Sequence, residues 1–265
     1  MARQSRRLHD PVVSTCVGLL LVVFASSTAT ARQEASTSSV QAPPSRDFML
    51  GRPHVAIGIR GNWLFARADS DIFDFVTTQL TIDKSSFNLP AAGGELAFYV
   101  SPRLDGVVGF DVSKSSTPSE YRDLVDNELL PIQQTTSLRQ FQFFGSAKFA
   151  LLPKGRRISR FAWIPSTVTP YVGAGGGALN YSFEQYGDFV DFQDNDVFTS
   201  SFKSSGWTPV AHVFGGVDLR VHGNMYMSLE GRYQWASGDL SQEFLGFAPI
   251  DLAGFRLGAG FHVAF

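Results

Sequence analysis

The sequence predicts an all-β chain, an eight-stranded antiparallel up-and-down transmembrane β-barrel. Three observations predict it. Apolar residues recur with a period of two in eight segments. The connections between those segments alternate between short and long. The faces opposite the apolar ones carry nearly balanced charge among Gly, Ala and Ser.

Taken in order, residues 1–31 read as a Sec-type signal peptide. Arg3, Arg6 and Arg7 form a basic start, residues 12–24 are apolar apart from Ser14 and Thr15, and Ala29-Thr30-Ala31 is a small-residue cleavage site. The apolar run is too short for a spanning helix. Cys16 lies at the start of that run, with Thr15 before it, so it is not placed as a lipoprotein cysteine. Cleavage would remove three Arg and one Asp from 22 basic and 24 acidic residues, leaving 19 and 23, a net charge of −4 with no cysteine. That excludes a disulfide scaffold and a Cys-based zinc site. It also gives no reason to expect a nucleic acid partner. Residues 32–52, rich in Ser, Gln, Pro and Ala, read as a flexible lead-in, and 53–265 as the barrel domain.

Within the barrel the alternation is direct. Val55, Ile57, Ile59, Trp63 and Phe65 oppose Ala56, Gly58, Arg60 and Asn62. Leu96, Phe98 and Val100 oppose Glu95, Ala97 and Tyr99. Val108, Phe110 and Val112 oppose Gly109, Asp111 and Ser113. Phe141, Phe143, Ala147, Phe149 and Leu151 oppose Gln140, Gln142, Ser146 and Lys148. A glycine-rich segment, 171–184, follows; Gly173, Gly175, Gly176 and Gly177 leave its register open to a bulge, but Tyr171, Leu179, Tyr181 and Phe183 keep the period and it counts as a strand. Ala211, Val213, Val217, Leu219 and Val221 then oppose His212, Gly216, Asp218 and Arg220. Met225, Met227, Leu229, Tyr233 and Trp235 oppose Tyr226, Ser228, Glu230, Arg232 and Gln234. Phe255, Leu257, Ala259, Phe261, Val263 and Phe265 oppose Gly254, Arg256, Gly258, Gly260 and His262. Residues 101–105 and 222–224 are tight turns. Residues 67–87, 114–136, 185–205 and 237–249 read as long loops, and 154–169 as a longer connection on the short-turn side.

The polar faces decide which solvent the apolar ones meet. They carry Arg60, Glu95, Asp111, Lys148, Asp218, Arg220, Glu230, Arg232 and Arg256, five basic and four acidic groups. A narrow barrel interior needs small residues beside a few large ionic ones. Unpaired charges there would each cost several kcal/mol, so near-balance predicts a lumen ionic network. Aromatic pairs near strand ends, Trp63 with Phe65, Tyr233 with Trp235 and Phe261 with Phe265, fit interfacial girdles. A soluble lipocalin-like barrel would place the apolar face inside instead.

Phe261, Val263 and Phe265 alternate to the last residue of the sequence. With Tyr171-Val172-Gly173-Ala174-Gly175, this resembles the OmpA/OmpX/OmpW-type group of small bacterial outer-membrane barrels over about residues 53–265. The resemblance implies an outer-membrane location and a periplasmic lead-in. It implies contact with outer-membrane lipid and lipopolysaccharide. It also implies that the barrel assembly machinery reads the terminal strand through Phe261, Val263 and Phe265. The long loops would then face outward, with Asp69, Asp71, Asp74 and Asp83, then Glu120, Asp123, Asp126 and Glu128, then Asp188, Asp191, Asp194 and Asp196, then Asp239 and Glu243. Lys154, Arg156, Arg157 and Arg160 would lie in the periplasm.

No chemistry stands out. Outer-membrane deacylases carry a His-x-Ser pair on a late strand, whereas this sequence has His262-Val263-Ala264. The aspartates at 188–196 lack the Gly and terminal Glu of a calcium loop, and no glycine-rich loop opens a helix to hold a nucleotide. The expectation is no catalytic residue, metal or cofactor. Three functions remain open: a plugged barrel presenting acidic loops for envelope structure or surface binding, a conduit for small or hydrophobic solutes, and a lipid-modifying enzyme. Phe144 and Phe214 on the lumen faces hint at the second. The partner of the loops is not legible.

Overall fold

The computed structural model describes residues 49–126, 128–159, 162–191 and 196–265. The signal-peptide reading and nearly all of the lead-in, together with Arg160 and Asp194, lie outside the described residues.

Eight long strands form one antiparallel sheet, closed on itself. They are β1 (Val55–Ala66), β2 (Leu89–Tyr99), β3 (Leu104–Val125), β4 (Pro131–Ala150), β5 (Val168–Val190), β6 (Val197–His222), β7 (Met225–Gly238) and β8 (Gly254–Ala264). Each pairs with the next in sequence, and β8 pairs with β1 from Gly254↔Ala66 to Ala264↔Ala56, so the ring has no seam. This is an eight-stranded up-and-down barrel. Both ends of the sheet and the tight turns share one rim, where His54 N–H donates to Phe265 O.

The period of two fixes which side chains leave the barrel. Ile57, Ile59, Trp63, Phe110, Phe143, Val213, Leu229 and Leu257 are exposed on the outer wall, Ile59 to 70 %. A monomeric wall in water does not leave so continuous an apolar surface bare. Over about ten residues of each strand the outer face is apolar, the length a tilted strand needs to cross hydrocarbon. The barrel is therefore of the transmembrane kind. Its upper border is aromatic: Phe65 pairs with Phe255, Phe255 with Tyr233, and Tyr233 packs on Trp235 at 4.9 Å. Phe141 and Trp207 continue that belt at 6.5 Å.

The walls are unequal. β1, β2, β7 and β8 have 11 to 14 residues, but β3 to β6 have 20 to 26. The difference of roughly ten residues is about 30 Å of strand. This corrects two loop assignments. Residues 114–136 and 185–205 are mainly strand, paired from Lys114↔Arg139 to Glu120↔Gln133 and from Gln185↔Phe202 to Val190↔Val197. The reason is that above the apolar belt the outer face turns polar while the inner face mixes polar with apolar residues, so the alternation that marks the lower wall disappears.

β5 closes the question of register that its glycines leave open. Tyr171, Leu179, Tyr181 and Phe183 all point inward and are at most 2 % exposed, whereas Val172 is on the outer wall. The period of two runs through the glycines with no shift of register. At the level of Leu179 to Phe183 the interior is apolar. There the β1–β2 connection folds into helix α1 (Asp71–Gln79) and a 3-10 turn at Lys84–Phe87. Ile72, Phe73 and Val76 of α1 pack with Leu64, Phe87, Leu89, Leu138, Leu179, Tyr181, Phe183, Val210 and Phe244 in one buried cluster. The loop aromatics Phe73 and Phe244 are thus core residues of this cap, and Phe73 meets Phe87 at 4.6 Å.

At the opposite rim the connection at 151–167 contributes short strands Gly155–Arg157 and Ala162–Pro165, and the latter pairs with Met49–Leu50. That pairing accounts for the unusual length of this connection.

Candidate functional site

Below the apolar cap the interior is polar, and Arg60 on β1 is its hub. Its Nε and Nη2 donate to the two carboxylate oxygens of Asp111 on β3 at 3.0 and 2.9 Å. Its Nη1 donates to Glu95 Oε2 on β2 at 3.1 Å and lies 3.7 Å from Glu230 Oε1 on β7. Such a two-pronged guanidinium–carboxylate contact is the strong form of the ion pair. Glu95 Oε1 in turn meets His262 Nε2 at 2.6 Å. Gly58 makes the room: a Cβ there would lie 2.1 Å from the His262 ring.

Glu230 ties a second guanidinium. Arg232 Nη2 and Nε donate to Glu230 Oε1 at 2.8 and 3.1 Å, and the Tyr171 hydroxyl donates to Glu230 Oε2 at 3.2 Å. Phe144 faces both cations, with Arg232 Cζ 4.6 Å and Arg60 Cζ 4.9 Å from its ring centre; Phe214 lies 5.1 Å from Arg232 Cζ. These inward aromatics therefore cover guanidinium groups by cation–π contact, rather than lining an apolar channel. A Cβ at Gly173 would lie 2.2 Å from the Phe214 ring, so that glycine is needed for the ring to fit.

A third group lies nearer the rim that holds both ends of the sheet. Lys148 Nζ pairs with Asp218 at 2.8 Å and sits 3.6 Å over the Tyr171 ring. Lys154, from the connection at 151–167, reaches Asp105 and lies over Tyr99.

Arg256 is different. It is 2 % exposed, and among the described residues no carboxylate lies within ion-pair distance of it. Three amide oxygens hold it instead: Gln234 Oε1 at 2.8 Å, Asn62 Oδ1 at 3.2 Å and Gln140 Oε1 at 3.4 Å. Arg220 joins none of these groups and donates to the Gly223 carbonyl at 3.0 Å. Phe261 and Phe265 face outward, and Val263 pairs with Ile57 of β1.

The polar interior is not fully satisfied by protein. Arg232 Nη1, Ser113 Oγ, Thr136 Oγ1, His212 Nδ1 and both amide atoms of Gln142 are buried without a protein partner. A cavity of about 20 Å³ touches Arg60, Asn62, Glu230, Arg232 and Arg256, enough for one water molecule.

One pairing escaped the sequence reading. Ser146 Oγ and His212 Nε2 lie 2.8 Å apart, within reach for a nucleophile and its base. Their only sequence signal is inward parity on β4 and β6. His212 Nδ1 meets no acceptor that would orient the ring, and His212 is 1 % exposed between Phe144 and Phe214. Among the described residues no carboxylate stands as the third member of a triad beside this pair. Among the described residues no group of three or more His, Cys, Asp or Glu side chains could hold a metal ion.

No family model matches the chain, and no curated protein matches it. Solved structures do. Neisserial surface protein A is similar at 16 % identity, covering 79 % of this chain and 99 % of its own, with a TM-score of 0.46. The outer membrane protein OprG from Pseudomonas aeruginosa is similar at 14 % identity over 82 % and 99 %, with a TM-score of 0.45. The outer membrane protease OmpT from Escherichia coli is similar at 11 % identity over 84 % and 100 %, with a TM-score of 0.40. The transmembrane β-barrel itself stands on the closed strand pairing and the apolar outer wall. The site chemistry rests on the residues described above.

Proposed function

We propose that this chain is an integral protein of the bacterial outer membrane, with a lumen closed by its own side chains. In this reading its long walls and loops present an acidic surface outside the cell, for binding or envelope support. The observation that carries the reading is the layered interior: ion pairs through the membrane span, and an apolar core above them. Asp69, Asp74, Asp123, Glu128 and Asp239 stand on the rim away from the two ends of the sheet and supply the acidic character. The apolar belt would meet outer-membrane lipid and lipopolysaccharide. The outward Phe261, Val263 and Phe265 would be read by the barrel assembly machinery. An enzymatic role is not part of the proposal, because among the described residues no carboxylate orients the Ser146–His212 pair.

Ion conductance of the refolded protein in planar bilayers tests this reading. Silence supports a closed lumen. Steady conductance overturns it in favour of passage of small or hydrophobic solutes. One feature favours that second reading: an apolar groove of about 600 Å³ on the outer wall. It runs between Leu96, Phe110 and Phe143 over Gly94 and Gly145, with Glu95 and Phe144 behind it.

A further inference from the structure

Two buried cations of the lumen stand face to face. β7 and β8 pair Arg232 directly with Arg256, so both guanidinium groups leave neighbouring strands on the same inward face, and both are buried. Like charges directly opposite each other across strands repel, and buried charges need an opposite charge beside them. The carboxylates nearby are largely committed elsewhere. Both oxygens of Asp111 go to Arg60. Glu95 gives one oxygen to Arg60 and the other to His262. That leaves Glu230 alone for the pair, and its Oε1 takes Arg232 while its Oε2 takes the Tyr171 hydroxyl.

The donors left over point to what else belongs there. Arg232 Nη1 is buried with no protein acceptor. Arg256 spends three N–H groups on the amide oxygens of Gln234, Asn62 and Gln140, and a guanidinium carries five. The fold leaves room beside them. β8 runs on from Arg256 with Gly258 and Gly260 on the same parity, and both line the cavity of about 20 Å³ that touches Arg232 and Arg256. A Cβ at Gly258 would lie 2.5 Å from Asn62 Cβ, and one at Gly260 would lie 2.6 Å from Ser228 Oγ. Two guanidinium groups thus share one carboxylate beside a small space, and the unspent polar groups are N–H donors.

We infer that the lumen binds a halide ion between Arg232 and Arg256, in the space that Gly258 and Gly260 leave open. Size and hydrogen bonding set the class of ligand. The space is close to that of one water molecule, so phosphate, sulfate or an organic carboxylate is too large. A halide is only slightly larger than water. It accepts from Arg232 and Arg256 and asks for no acceptor in return, and its charge offsets the repulsion across the pair. The inference goes beyond the closed-lumen reading and needs only the ionic layer. Conductance and halide binding therefore fail independently.

The test uses the full mature chain refolded in detergent. Crystals soaked in sodium bromide, with data collected at the bromine absorption edge, should give an anomalous peak within hydrogen-bond distance of Arg232 and Arg256. In solution, urea unfolding is followed at constant ionic strength while sodium gluconate is exchanged for sodium chloride or bromide. The folded-to-unfolded ratio should rise saturably, about tenfold at about ten times the half-saturating halide concentration. Two variants locate the effect. Arg256→Gln removes one charge and keeps a group that can bond the surrounding amides. Gly260→Ala keeps both charges and puts a methyl group into the space, at the cost of turning the Ser228 hydroxyl. Either should abolish the halide-dependent gain. Three results would overturn the inference: no anomalous peak at the pair; a urea midpoint that ignores the exchange of gluconate for halide; or an equal gain in wild type and in either folded variant, which marks a general salt effect. The bromide peak is read on the unaltered protein, so it decides the matter even where a variant fails to fold.

Discussion

The lower and upper halves of this tube are built from the same strands and have opposite interiors. In the lower half Arg60, Glu95, Asp111, Glu230 and Arg232 fill the lumen, while Ile59, Phe110 and Leu229 face out. In the upper half Phe73, Leu179, Tyr181 and Phe183 fill it, and Lys114, Ser116 and Glu184 stand on the wall. The medium outside accounts for the difference. Against lipid the outer face takes the apolar residues, and the polar inner face must then satisfy itself with ion pairs. Against water the apolar residues gain by turning inward, as in any soluble core. β5 makes the change within one strand, from outward Val172 to inward Leu179.

The widest test of this contrast treats the two halves as barriers in series. Replacing residues 71–87 by a short Gly-Ser linker removes the apolar cap, and Glu230→Ala with Arg232→Ala removes part of the ionic layer. Planar-bilayer recordings should show current only when both lesions are combined. An apolar constriction excludes ions by staying dry, and a packed ion-pair layer excludes them by filling space. Current from the cap lesion alone would mean that the ionic layer is no barrier.

Next in size is the cost of breaking each half from within. Asp111→Ala leaves Arg60 without its two-pronged partner in a buried site, which should cost about 3–5 kcal/mol and lower the urea midpoint of the whole barrel. Phe73→Ala removes a fully buried ring, a change worth about 3–5 kcal/mol at full burial. Here the effect should stay local. The cap belongs to one connection, so amide exchange in residues 71–87 should rise while the midpoint of the barrel moves less than in Asp111→Ala. Equal midpoint shifts would show that cap and wall unfold as one unit.

The sequence made the lower half legible because two signals coincide there: a strict period of two, and charges confined to one parity. Arg60, Glu95, Asp111 and Glu230 were placed on one surface by parity alone. Which carboxylate meets which cation was not legible, since Arg60 and Glu230 are 170 positions apart and the shear of the barrel brings them to one level. Arg256 shows the limit of counting charges, because its partners are uncharged amides. The upper half was hidden for a different reason. With water outside, residues 114–120 and 199–205 are polar on one parity and mixed on the other, so strand and loop look alike. α1 was equally obscure, a nine-residue helix whose apolar stripe of Ile72, Phe73 and Val76 sits among aspartates. Its only signal is a pair of aromatics, Phe73 and Phe75, in an otherwise acidic segment.

The smallest predicted effects concern how the cap is fastened. Asp251 is a buried carboxylate between the β7–β8 and β1–β2 connections. Its Oδ2 accepts Arg67 Nε at 2.8 Å and the Asp69 N–H at 3.0 Å, and its Oδ1 accepts the Ala253 N–H at 3.0 Å. That contact holds the Arg67 guanidinium above its usual pKa, chiefly through the hydrogen bond to Asp251. Lys84 also has its pKa raised, by its hydrogen bond to Asp74, but both ends of that pair lie in water. The two pairs look alike on a contact map and should behave differently. Asp251→Ala strands the buried Ala253 N–H and frees the Asp69 N–H and Arg67, so limited proteolysis within residues 67–87 should speed up severalfold while the barrel stays folded. Lys84→Ala frees only solvated groups, and both proteolysis and the urea midpoint should stay at the wild-type value. Equal sensitivity in the two variants would mean that the cap is held by surface charge and not by the buried carboxylate at its hinge.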